Sequence, residues 1–91
     1  PYQVVTTAQD SIAIGNVALA TNVGAIAIGQ AATTSATNAV ALGTGVTAAK
    51  ADTVAVTELE TKLVGGGITM VSPDGTEYKL TVANGGTLVI T

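Results

Sequence analysis

A chain of 91 residues with a net charge of −3 makes at most one ordinary domain, and alone it would bury only about 60% of its extended surface. It has neither Cys nor His, so a disulfide framework and the common soft metal ligands are excluded, and self-association is the expected source of stability. Three Lys form no basic patch, which argues against nucleic acid, and no apolar run approaches the roughly 20 residues of a membrane-inserted helix.

The apolar content is of an unusual kind. Hydrophobic residues make up 47% of the chain, yet Phe and Trp are absent and Tyr2 and Tyr78 are the only aromatics. Ala, Val, Ile, Thr and Gly carry the composition instead, which suits thin, closely stacked strands better than a compact core. Residues 1–10 read as a lead-in. Its opening, Pro-Tyr-Gln-Val-Val-Thr-Thr, lacks the charged head and apolar middle of a signal peptide. A processed fragment would lack one too, and Pro1 at the start is expected of a piece excised from a longer chain.

Residues 11–57 repeat. Ser11-Ile-Ala-Ile-Gly15, Ala25-Ile-Ala-Ile-Gly29, Ala39-Val-Ala-Leu-Gly43 and Thr53-Val-Ala-Val-Thr57 begin fourteen residues apart each time. Within a copy the pattern has period two, so Ile12 and Ile14, Ile26 and Ile28, Val40 and Leu42, and Val54 and Val56 share a face. Period two with β-branched residues predicts strands. An Ala-rich helix is disfavoured by the recurring Gly and by the Thr, Asn and Ser between copies. The segments 16–20, 30–34 and 44–48 predict a second short strand in each fourteen-residue coil. Two strands of about five residues and two corners then complete a coil, with Gly15, Gly29 and Gly43 at the first corner and Gly24, Asn38 and Asp52 at the second. Coils are expected to stack by parallel pairing at about 4.8 Å. The bulky face is expected inside the roll, leaving the face lined by Ala, Ser and Gly as a flat association surface.

These phrases resemble the head repeats of YadA-like trimeric adhesins, whose phrase is typically Asn-Ser-Val-Ala-Ile-Gly. Asp10-Ser-Ile-Ala-Ile-Gly15 and Asn38-Ala-Val-Ala-Leu-Gly43 come nearest, and the resemblance covers residues 10–57. It implies an all-β, left-handed parallel β-roll assembled as a tight homotrimer. The core and trimer-forming positions are then Ile12, Ile14, Gly15, Ile26, Ile28, Gly29, Val40, Leu42, Gly43, Val54 and Val56. The fourth copy ends in Thr57 rather than Gly, which marks the expected end of the roll.

Residues 58–67 predict a connector. Glu58-Leu-Glu-Thr-Lys-Leu63 alternates, as a strand would, but no heptads follow it. Residues 68–91 predict a β-hairpin region: Pro73-Asp74-Gly75 between alternating segments is a hairpin signal, Asn84-Gly85-Gly86 a second turn, and Thr87–Thr91 a third strand. Tyr78, Leu80 and Val82 would share a face. The phrase from Gly65 to Leu88 resembles the ends of phage tail-fibre and virion appendage proteins.

Catalysis is not expected. Glu58 with Glu60, and Asp74 with Glu77, are the carboxylate pairs that come closest, and with no His, Cys or Arg nothing completes a catalytic set. Gly65-Gly66-Gly67 lacks the Lys-Ser/Thr of a phosphate loop. Asp10, Asp52 and Thr hydroxyls form no dense calcium loop, although one axial residue on a threefold axis becomes three ligands. Either Tyr could stack on a sugar. No cofactor is expected. The function expected from these residues and resemblances is a structural or attachment segment of a homotrimeric phage tail fibre or spike, located in the virion. Its partners would be other fibre segments or a host-cell surface receptor. The alternative is a head fragment of a bacterial trimeric autotransporter adhesin at the cell surface. A glycan-degrading spike enzyme would need paired carboxylates in a wide groove.

Overall fold

Two parallel sheets wind together from eight very short strands. The computed structural model describes residues 4–6 and 8–91, and the expected sugar-stacking role of Tyr2 lies outside them. One sheet holds β1 (Val5–Thr6), β3 (Leu19–Ala20), β5 (Thr33–Thr34) and β7 (Thr47–Ala48), in that order. The other holds β2 (Ile12–Ile14), β4 (Ile26–Ile28), β6 (Val40–Leu42) and β8 (Val54–Val56). Every pairing is parallel and advances by one fourteen-residue coil: Ile12 lies beside Ile26, Ile26 beside Val40, and Val40 beside Val54. The strands run to three and two residues, shorter than expected, because the corners take up the rest. The register also reaches into the expected lead-in, where Val5 pairs with Leu19.

Corners are bonded coil to coil. The Gly29 amide donates to the Ile14 carbonyl at 2.7 Å and the Gly43 amide to Ile28 at 2.9 Å. At the opposite corner the Asn38 amide donates to Val23 at 2.9 Å. Backbone polarity is therefore satisfied around the coil as well as along the strands.

The interior reverses the expected assignment of faces. Ala20, Ala25, Ala27, Ala32, Ala39 and Ala41 have no solvent exposure, whereas Ile12, Ile14 and Val54 are 46%, 56% and 61% exposed. Alanine fills the roll, and the bulky residues of the repeat stand outside it. A fourteen-residue coil brings its two sheets so close that the fully buried side chains are all Ala except Thr34. Ala13, Ala27, Ala41 and Ala55 accordingly form one inward column in strict register. Thr34 is the one buried polar residue among those described, and its Oγ1 has no hydrogen-bond partner there.

The chain divides into two compact units, the first ending at Glu58 and the second spanning Leu59–Thr91. The second is an antiparallel sheet of β9 (Ile68–Val71), β10 (Glu77–Val82) and β11 (Leu88–Ile90), with β10 in the centre. The expected turns at Pro73–Gly75 and Asn84–Gly86 join these strands. Residues 58–63 form no strand, so Glu58 and Glu60 do not share a strand face.

Candidate functional site

The most distinctive surface of the first unit is the outward face of the β2–β4–β6–β8 sheet. Alternation along each three-residue strand sends its middle Ala inward and its two flanking aliphatics outward. Stacking then builds two columns, Ile12-Ile26-Val40-Val54 and Ile14-Ile28-Leu42-Val56. Ile28, Leu42 and Val56 are each more than a third exposed. Together the eight side chains offer on the order of 500 Å² of apolar surface, near the upper end of what a monomer leaves uncovered. Charge is absent from the central coils: after Asp10 the next charged residue is Lys50.

Glycine sets how closely these columns stack. Gly15, Gly29 and Gly43 have φ near +125° (126°, 129° and 122°). A Cβ on Gly15 would lie 2.6 Å from the Gly29 carbonyl, and one on Gly29 2.7 Å from that of Gly43. On Gly43 the nearest atom would be Val46 Cγ2 at 3.2 Å, with no backbone carbonyl below. The fourth copy can end in Thr57 for this reason: no further coil presses against it. Gly24, Asn38 and Asp52 take left-handed backbone at the second corner, as expected, with Asn38 Nδ2 donating to Asp52 Oδ1 at 3.1 Å.

A third set of left-handed residues escaped the sequence reading: Val17, Ala31 and Gly45, at φ 55°, 59° and 70°. Only Gly45 signals such a position. A β-branched residue there is an outlier, and its strain is held by the coil bonds around it, including the Ala31 amide donating to Asn16 at 2.9 Å.

Among the described residues no three acidic side chains gather as a metal site would require. Glu60 and Lys62 form a 3.8 Å ion pair that is largely exposed. Asp74 caps the β9–β10 turn: the Ser72 hydroxyl and the Thr76 amide, the latter at 3.0 Å, donate to its carboxylate and hold its pKa at about 2. Gly65–Gly67 is shaped by a turn and by close backbone packing. The Gly66 amide closes a turn onto the Leu63 carbonyl at 2.7 Å, and a side chain on Gly67 would strike the Leu80 carbonyl. An open groove of about 380 Å³ lies beside it, lined by Leu63, Val64, Leu80, Val82 and Leu88 with no ionisable group. Among the described residues no helix is long and apolar enough to cross a membrane.

A family model, the YadA head domain repeat, matches residues 20–45 in two copies. Those residues run from the end of β3 to the corner before β7, so the match falls on the coils whose geometry is described above. The repeat it describes is a non-catalytic structural domain of adhesins. No curated protein and no solved structure matches the chain. The match does not reach residues 65–88, so nothing supports the tail-fibre resemblance.

Proposed function

We propose that this chain is a structural segment of a trimeric, adhesin-like protein of the bacterial cell surface, and that the outward aliphatic columns are where three copies meet. The observation that carries this reading is the pair of columns itself. They are regular, uncharged and left uncovered by the roll, and their central members, Ile26, Ile28, Val40 and Leu42, lie in the matched repeat. Ile12, Ile14, Ile26, Ile28, Val40, Leu42, Val54 and Val56 act as the association surface. Gly15, Gly29 and Gly43 act one step back, by fixing the spacing of the coils that present them.

The mechanism is mechanical. Strands in register offer a flat face, and identical faces pack without burying a charge or an unpaired polar group. Each copy supplies the apolar cover that its Ala-filled interior is too thin to provide. The bacterial-surface setting is favoured over a virion because the repeat match supports it, whereas the virion reading has only the phrase in residues 65–88.

The test is Ile28→Asp. This substitution sets a charge on the outward column without touching the interior, so the variant should keep a β-type circular dichroism spectrum and sediment as a smaller species than the parent. A variant that still associates like the parent would remove the columns from the proposed interface.

A further inference from the structure

The second unit has a face of its own that wants covering. Residues directly opposite in an antiparallel sheet point to the same side, so the pairings sort the faces. Ile68 and Ile90 flank Leu80, Met70 lies opposite Tyr78, and Val82 opposite Leu88. All seven are apolar or aromatic and all lie on one side. The other side carries Thr69, Glu77, Lys79 and Thr81, with Val71 and Val89 among them.

This sheet is amphipathic, yet its apolar side is left largely open: only the exposed Leu63 and Val64 flank it, across the groove they share with Leu80, Val82 and Leu88. No residue of Leu59–Thr91 is buried, and Val82, Leu88 and Ile90 are each about two-thirds exposed (64%, 67% and 65%). An isolated sheet of this size needs a packed hydrophobic face to persist in water. The uncovered side amounts to roughly 600 Å², close to what each partner contributes to a standard protein interface.

We infer that the apolar face of β9–β10–β11 packs against the same face of other copies of this chain, making the second unit a second self-association element. Three features fit a copy of the chain as occupant. The face carries no charge, so identical faces meet without repulsion. Its area suits a partner of equal size. Finally, the roll is joined to the sheet by a connector of about ten residues, so association through the roll raises the local concentration of sheets. This last point rests on the trimeric reading of the columns.

With no native Cys, single-cysteine variants of the full chain test the face directly with a short bismaleimide at low protein concentration. Met70→Cys, on the apolar side, should give a denaturing-gel band at twice the chain mass, and Thr69→Cys, on the polar side, should not. Ile28→Cys reports on the roll independently. Cross-linking at Ile28 without any at Met70 would overturn the inference and leave the roll reading standing. Cross-linking at Met70 alone would support the sheet interface and count against the roll. Equal yields at Met70 and Thr69, or none at either, would also overturn it.

Discussion

Single atoms decide how closely successive coils approach. A methyl on Gly29 would collide with the Gly43 carbonyl while its backbone sits at φ 129°, so nothing flexible can yield. Gly29→Ala should therefore destabilise the roll by about 2 kcal/mol or more, read as a fall in melting temperature. Gly45→Asn is the control: φ is 70°, a conformation Asn tolerates, and no atom lies within 4 Å of its would-be Cβ. That variant should melt close to the parent. Thr34 offers the opposite sign. Its hydroxyl is buried without a partner among the described residues, so the near-isosteric Thr34→Val should stabilise by about 1 kcal/mol. Asp74 adds a pH dependence. Its pKa is about 2 in the fold, below the roughly 3.9 of an unfolded chain. The turn's electrostatic support is therefore complete above about pH 4 and lost as pH falls through about 2. An NMR titration should place the Asp74 midpoint near the lower value, and Ser72→Ala should move it upward.

At the scale of the element, the same strand carries opposite demands on its two sides. Ala27 is fully buried in the roll, and Ile28 faces outward. Ala27→Leu should overpack the roll at a cost of about 1–3 kcal/mol or prevent folding, seen as loss of the cooperative melt. Changes at Ile28 should instead act on association. The repeat period, the parallel register and the hairpin turns were legible in the sequence, because Gly and Asn at fixed intervals and period-two alternation leave few alternatives. Which face lies inside is not legible from bulk: large aliphatics ordinarily mark a core, but here the dimensions of the coil set the limit. The usable signal was constancy: Ala13, Ala27, Ala41 and Ala55 do not vary in size, while the outward positions exchange Ile, Val and Leu. The left-handed corner at Val17 and Ala31 left no trace, since neither residue type favours that conformation and stacking alone imposes it.

For the molecule as a whole, each unit ends with an apolar surface of its own left in water. Apart from Thr34, the fully buried side chains of the roll are Ala methyls, each worth about 0.8 kcal/mol when buried, while most of its larger side chains remain outside. The three-stranded sheet buries nothing fully. Both units thus leave their best apolar material outside their own interiors. The most direct check is sedimentation equilibrium of the unmodified chain over a wide concentration range. A single folded species with the mass of three 8.8 kDa chains is expected. A well-folded β-structured monomer, persisting at the highest concentration, would contradict it.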